Sequence, residues 1–310
     1  MTSQSTQGTL RDLQDRPWEL GLVSIVIPAY NEEAAIAYDL DTILTAMNQA
    51  DFEFEVLVVD DGSTDSTASI VARYPGVRLI RHPHNLGVGA ARKTGMRFAQ
   101  GDIIVTTDGD GSYPNQEMPR LLQRMQDNDM VIGARTREAG TWAWLRRPAK
   151  AFVRGLASYL TGVRIPDLNS GLRCYRKELA QQFLPLLPSG HSWESTITLA
   201  FLTSGYRVEF VPVDYYPRRG GRSSFHPITD TVTYLRLVAR TIMYFDPLKF
   251  FGPLSLALLL LGGVKLVRDV FAYQFHIPGS TIVLLLTGVQ IGALGLIADL
   301  IVKRGTHRPP

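Results

Sequence analysis

The pair of side chains best spaced for chemistry is Asp108-Gly109-Asp110. Two carboxylates two residues apart, closing the β-rich run Asp102-Ile-Ile-Val-Thr-Thr-Asp108, can hold one hard cation. Mg2+ or Mn2+ held this way keeps water and takes diphosphate oxygens as its remaining ligands. There it would neutralise charge growing on a departing nucleoside diphosphate. Gly109 and Gly111 would let the backbone approach such a ligand closely. A second acidic cluster, Asp60-Asp61-Gly62-Ser63-Thr64-Asp65, could accept hydrogen bonds from a ribose or a base, while Ser63 or Thr64 could cap the helix that follows. A third polar group, Tyr30-Asn31-Glu32, follows another apolar run. Any one of the three could serve only as a helix cap. Together they mark a site, because ligands of open α/β sheets bind beyond the carboxyl ends of the strands.

The elements that must position these groups are legible as alternating patterns. Apolar, β-branched runs at 22–29, 55–61, 102–108 and, more weakly, 130–133 suit strands buried on both faces of a parallel sheet. Helical stretches at 32–49, 64–74, 87–99 and 115–127 separate them, which gives a doubly wound, Rossmann-like α/β domain. The length of 310 residues suits one such domain plus extra elements. Residues 1–20 are polar, lack the apolar stretch of a signal peptide, and read as a disordered lead-in. The single cysteine, Cys174, excludes an intrachain disulfide and fits a reducing compartment. The six histidines show no metal-ligand spacing, and His82 and His84, flanking Pro83, read as surface loop residues.

The mean hydropathy of +0.02 is high for a soluble enzyme, and the excess lies near the C-terminus. Residues 250–264 carry no charge and reach about Val267 if Lys265 snorkels; residues 277–298 carry none. A bilayer crossing needs roughly 20 apolar residues. The short segment 268–276 between the two makes a transmembrane hairpin. Arg236, Arg240 and Lys249 precede it and Lys303, Arg304 and Arg308 follow it, against Lys265 and Arg268 near the loop. The positive-inside rule then places the preceding domain in the cytoplasm. Residues 147–162, with Arg147, Lys150 and Arg154, and 227–245, with Arg236 and Arg240, read as basic amphipathic helices suited to an anionic membrane surface or to the domain's own core. The chain thus divides into the lead-in, a catalytic domain at 21–225, a juxtamembrane helix at 226–246 and the hairpin at 247–303. A net charge of +3 and an isoelectric point near 9.0 could suit nucleic acid, but no nucleic-acid motif is present, and the basic groups are better used on phosphates and lipid.

Several blocks in order carry a resemblance: 24–33 (Ser-Ile-Val-Ile-Pro-Ala-Tyr-Asn-Glu-Glu), 59–65 (Val-Asp-Asp-Gly-Ser-Thr-Asp), 85–89 (Asn-Leu-Gly-Val-Gly), 108–114 (Asp-Gly-Asp-Gly-Ser-Tyr-Pro), 131–135, 167–176 and 211–224. The chain resembles family 2 inverting glycosyltransferases of the GT-A fold, and among them dolichyl-phosphate mannosyltransferases and bacterial polyprenyl-phosphate glycosyltransferases, over roughly 22–225. The resemblance implies that Pro28, Tyr30 and Glu32 hold the donor nucleotide and that Asp61, with Asp60, contacts base or ribose. It implies that Asp108, Gly109 and Asp110, with Ser112 nearby, form the metal and diphosphate site, and that Arg218 reaches the donor diphosphate. Arg135, Arg154 and Ser158 match positions that hold an acceptor phosphate. Ser224 stands where the family usually has Lys, and Arg222 where it has an acid, which leaves open how that loop closes on the donor.

The expected reaction moves a hexose, mannose or glucose, from GDP-mannose or UDP-glucose to a dolichyl or undecaprenyl phosphate at a lipid bilayer. A phosphate acceptor is already ionised and needs no general base, so the work is positioning and charge stabilisation, with inversion at the anomeric carbon. Glu194, where hydroxyl-acceptor relatives often place an acid or base, reads here as a structural or sugar-contact residue. Two rivals remain. A processive polysaccharide synthase or other hydroxyl-acceptor enzyme would carry a Gln-x-x-Arg-Trp block, which this chain lacks; a non-catalytic membrane scaffold has no need of intact Asp108 and Asp110.

Overall fold

The computed structural model describes residues 21–136, 155, 157–159, 161–190, 192–220, 247–272 and 277–306. Every residue of β1 (Val23–Ala29) is buried, which explains its unbroken apolar character: it lies inside a sheet covered on both faces. β2 (Phe54–Asp60) and β4 (Ile103–Thr106) flank β1 in parallel, and β3 (Val77–Arg81) adds the outer parallel edge beyond β2. The full order is β3-β2-β1-β4-β6-β5-β7, with β5 at Met130–Arg135, β6 at Arg173–Arg176 and β7 at Val208–Val213.

Three strands depart from the expected pattern. β3 is half exposed and short, so its sequence shows no apolar run. β6 is four residues long and runs antiparallel to both β4 and β5, which makes the sheet mixed rather than all parallel. β7 pairs in parallel with β5 at the far edge.

α1 (Ile36–Asn48) and α4 (Met118–Arg124) bring Ile36, Leu40, Ile43, Leu121 and Leu122 into a core shared with Ile25, Ile27 and Val105. On the opposite face, α3 (Val88–Phe98) and α6 (Trp193–Thr203), with α5 (Lys177–Gln182) beside them, pack Met96, Trp193, Ile197 and Phe201 against Val26, Ile104 and Tyr175. The helix expected at 64–74 is only α2 (Thr67–Val71), because Asp65 and Ser66 are spent on the loop before it. The helix expected at 115–127 begins with a 3-10 turn at Asn115–Glu117.

The C-terminal part is two long helices, α7 (Pro247–Ala272) and α8 (Gly279–Thr306). Apolar side chains point outward along both, with Leu260 61%, Val264 72% and Val283 63% exposed, unlike the core helix of a soluble domain. Both are long and apolar enough to cross a bilayer. Small residues let the helices meet closely: a Cβ on Gly288 would stand 2.9 Å from Leu259, and one on Gly292 2.8 Å from Ser255. Ser255 donates to the Gly288 carbonyl at 2.8 Å. Towards the connecting segment, Lys265 donates to buried Asp269 at 2.5 Å and to Thr281 at 2.8 Å. The juxtamembrane helix expected at 226–246 and ten of the sixteen residues of the basic helix expected at 147–162, Arg154 among them, fall outside the described residues.

Candidate active site

The carboxyl ends of β1, β2 and β4 meet on one edge of the sheet, with β1 at the point where the chain turns from building towards β3 to building towards β7. This is where open α/β sheets bind ligands. The β1 and β2 ends are knitted together. Asn31 takes a left-handed φ of 56°, which asparagine tolerates, and its side-chain oxygen accepts the Thr64 N–H at 2.8 Å. Its own N–H donates to Ser63 Oγ at 3.0 Å, and the Glu32 N–H donates to Thr67 Oγ1 at 2.8 Å. Pro28 lies in buried β1, and Tyr30 emerges beyond it, 45% exposed.

Asp60 and Asp61 are turned inward. Asp60 accepts from the Ser63 N–H at 2.9 Å and from Arg81 Nε at 3.0 Å. Asp61 accepts from the backbone N–H groups of Leu86 (3.0 Å) and Gly87 (2.8 Å) and pairs with His82 Nδ1 at 2.6 Å. His82, expected on the surface, is instead enclosed, its other ring nitrogen 2.9 Å from Thr94 Oγ1. His84 is exposed as expected.

The β4 end is different. Asp110 accepts both the backbone N–H (3.0 Å) and the hydroxyl of Ser112 on Oδ1, and Arg218 Nε lies 2.8 Å from Oδ2. Ser112, expected beside the ion, is fully buried and spends its hydroxyl on orienting Asp110. Gly109 has an internal cause: a Cβ there would meet Ile36 and Ile27 at 3.1 and 3.3 Å. Gly111 needs its left-handed φ of 72°, and its N–H donates to Asp39 at 2.8 Å. The segment after β7 closes over this turn, with the Tyr216 N–H donating to the Ser112 carbonyl and the Arg219 N–H to the Asp110 carbonyl. Asp108, partly exposed, accepts from Arg92 Nη2 at 2.6 Å. Gly171 makes room for it, since a Cβ there would stand 2.6 Å from Asp108 Oδ2.

Four carboxylates therefore crowd this region, and Glu32, Asp39 and Asp110 are pushed above the ordinary carboxylate range. Burial pushes Glu32 up to about 8, with Asp110, Asp108 and Asp39 adding to the rise and Arg218 opposing it. Burial likewise pushes Asp39 up to about 7, helped by Asp110 and Asp108 against its bonds from Gly111 and Asn115. Asp110 is raised by burial and then by the charge of Asp108, which outweigh Ser112 and Arg218. A region in which carboxylates disfavour one another's ionisation suits a divalent cation, which favours their charged forms. Among the described residues no set of three or more His, Cys, Asp or Glu side chains could hold a metal. An ion here would rest on Asp108 and Asp110 and complete its shell with ligand oxygens and water, as a hard cation beside a diphosphate does.

Arg135, at the end of β5, forms a two-pronged pair with Asp167, at 2.7 Å from Nε and 2.9 Å from Nη2, and its guanidinium carbon lies 5.1 Å from the Tyr215 ring centroid. Burial alone would raise the Asp167 carboxyl; the Arg135 bonds and charge outweigh it and hold Asp167 below the ordinary range. Ser158 Oγ accepts the Ile165 N–H at 3.1 Å. Two residues of this region were not anticipated. Asp39 sits at a core position of α1, in step with Ile36, Leu40 and Ile43, and an acid in that register is a readable signal. Arg92 lies on the buried face of α3 with Ala91, Gly95 and Met96, where a charge among small residues was the available clue.

A mixed α/β sheet with a carboxylate-lined cleft at its parallel strand ends defines a GT-A-type domain. Solved structures agree on the fold. Glucosyl-3-phosphoglycerate synthase from Mycobacterium tuberculosis, in complex with Mn2+, uridine diphosphate and phosphoglyceric acid, matches with a TM-score of 0.55 at 22% identity, over 72% of this chain and 78% of that one. Mannosyl-3-phosphoglycerate synthase from Rubrobacter xylanophilus matches with a TM-score of 0.56 at 18% identity, over 75% of each. The model of glycosyl transferase family 2 matches residues 24–184, more than half of the chain, and that of the GtrB C-terminal hairpin matches 246–303. The chain belongs to glycosyl transferase family 2. Its relatives include the undecaprenyl-phosphate 4-deoxy-4-formamido-L-arabinose transferase of Pseudomonas syringae pv. syringae, 28% identical over 92% of this chain and 86% of that protein. Another is the dodecaprenyl-phosphate galacturonate synthase of Rhizobium johnstonii, 28% identical over 97% and 93%.

Proposed function

We propose that this protein transfers a sugar from a nucleotide-sugar to a polyprenyl phosphate at the cytoplasmic face of a membrane. The observation that carries the reading is the pairing, in one chain, of an acidic GT-A cleft with two outward-facing apolar helices. The names of the relatives, which carry undecaprenyl and dodecaprenyl phosphate, support the acceptor class.

In this reading Pro28, Tyr30 and Glu32 line the nucleotide site, and Asp60 and Asp61 shape the floor under base and ribose. Asp108, Gly109 and Asp110 face the diphosphate, with Ser112 holding Asp110 in place. When bound, Mg2+ or Mn2+ supplies positive charge against the leaving diphosphate. Arg218, already beside Asp110 and partly exposed, adds a second cation to that leaving group. The acceptor phosphate meets Arg154 and Ser158, with Arg135 held for it by Asp167. A phosphate oxygen bonds to the anomeric carbon as the carbon–oxygen bond to the diphosphate breaks, and the nucleoside diphosphate leaves with the electron pair. No proton moves, so no base is needed, and the anomeric centre inverts. Glu194 is committed to Arg92, which leaves a hydroxyl acceptor without an obvious base.

The test is a donor screen with the purified full chain in vesicles containing undecaprenyl or dolichyl phosphate. GDP-mannose, UDP-glucose and the nucleotide forms of galacturonate and 4-deoxy-4-formamido-L-arabinose are the donors to offer. One of them should yield a glycosylated lipid phosphate of inverted configuration. Sugar appearing only on a hydroxyl acceptor, or retained configuration, would contradict the proposal.

A further inference from the structure

Arg92 and Glu194 form a buried ion pair directly behind the cleft, and the reaction as described makes no use of it. Arg92 is 1% exposed. One terminal nitrogen, Nη2, reaches Asp108 Oδ1 at 2.6 Å; the other, Nη1, donates to Glu194 Oε1. Its guanidinium carbon lies 5.5 Å from the Trp193 ring centroid. Among the described residues Arg92 Nε has no hydrogen-bond partner, so there the group is held by its two ends and the ring.

Each anchor of this pair belongs to a fixed element. Gly95 sits so close to Val26 that a Cβ would stand 2.2 Å from its methyl, which seats α3 tightly on β1. Glu194 opens α6, and its carbonyl accepts from buried Arg173 Nη1 at 2.9 Å. Arg173 also grips Thr198 Oγ1 at 2.9 Å, and burial together with repulsion from Arg92 pulls it down to about 10. Two buried arginines are thus gathered behind the site, and Arg92 stands between the carboxylates of Glu194 and Asp108.

We propose that Arg92 and Glu194 are a positioning pair that fixes Asp108 for the divalent cation and tunes its grip. This deepens the proposed function and rests on its metal site. The physical argument is one of sharing. With Glu194 present, Arg92 is largely neutralised before it meets Asp108, so Asp108 is oriented but keeps its charge for the cation. Without the Glu194 charge, the whole field of Arg92 falls on Asp108 and competes with the cation. Arg92 acts on Asp108 directly and Glu194 acts through Arg92, as partners behind metal ligands do.

The experiment is a Mn2+ titration by electron paramagnetic resonance on the full chain in detergent, without donor, for wild type, Glu194→Gln, Arg92→Lys and Asp110→Ala. Glu194→Gln keeps the shape and removes the charge; Arg92→Lys keeps the charge and removes the fork. Both should weaken Mn2+ binding by about tenfold. With donor and lipid added, kcat should fall at unchanged KM for the lipid, and Glu194→Gln should retain every limb of the wild-type pH–rate profile. Wild-type Mn2+ affinity in both variants overturns the proposal. So does loss of a pH limb in Glu194→Gln, which would make Glu194 a base. Asp110→Ala separates the two levels: if it loses Mn2+ while the other two keep it, only the positioning pair falls. If it too binds as wild type does, the metal site of the proposed function falls and takes the pair with it.

Discussion

The two acidic strand ends look alike in sequence and differ in structure. At the end of β2, Asp60 and Asp61 are saturated by Arg81, His82 and three backbone N–H groups. At the end of β4, Asp108 and Asp110 share their cleft with Glu32 and Asp39, and three of the four are pushed up by burial and by one another. The first pair organises a loop, with its oxygens already partnered within the protein. Among the described residues, the cations paired with Asp108 and Asp110 are Arg92 and Arg218. Unsatisfied charge, more than the acid itself, distinguishes a working site from a structural one.

This contrast can be broken by substitution. Asp110→Ala should reduce turnover by about a hundredfold or more, read as nucleoside diphosphate release, in a protein that still folds. Arg154→Ala should raise KM for the lipid phosphate by about tenfold and leave KM for the donor nearly unchanged; an effect confined to the donor would remove Arg154 from the acceptor site. Asp61→Ala should act mainly on stability, by about 1–3 kcal/mol in thermal or denaturant unfolding, because it removes the part-buried partner of His82 and of the Leu86 and Gly87 N–H groups. A stable Asp61→Ala protein with a large rise in donor KM would mean that the β2 pair is also a ligand site.

The smallest effect is a proton count. Glu32 and Asp39, raised to about 8 and about 7, carry protons in the metal-free protein near neutral pH. A cation favours their charged forms, so binding should release protons, and affinity for Mn2+ should rise with pH and level off above about 8. Calorimetry in buffers of different ionisation enthalpy measures that release. An absence of released protons would separate Glu32 and Asp39 from the ion's field.

Much of this was readable before any coordinates. β1, β2 and β4 are buried on both faces, so their apolar runs mark them directly, and the polar residues after them mark the site. β3 and β6 were hidden because one is half exposed and the other is four residues long, packed between neighbours it opposes in direction. The same limit applies to single residues. Asp108 and Asp110 declare themselves by spacing. Arg92 and Glu194 stand 102 positions apart and become a pair only when α3 and α6 cover the same face of the sheet. His82 reads as a loop residue because nothing near it in sequence reveals that Asp61 and Thr94 enclose it.

The most direct trial of the central claim is nucleoside diphosphate release by the purified chain, measured with and without polyprenyl phosphate and with and without EDTA. Release only when lipid phosphate and free divalent ion are both present, and its loss in Asp110→Ala, is the predicted result. Release that persists in EDTA, or that ignores the lipid, would contradict it.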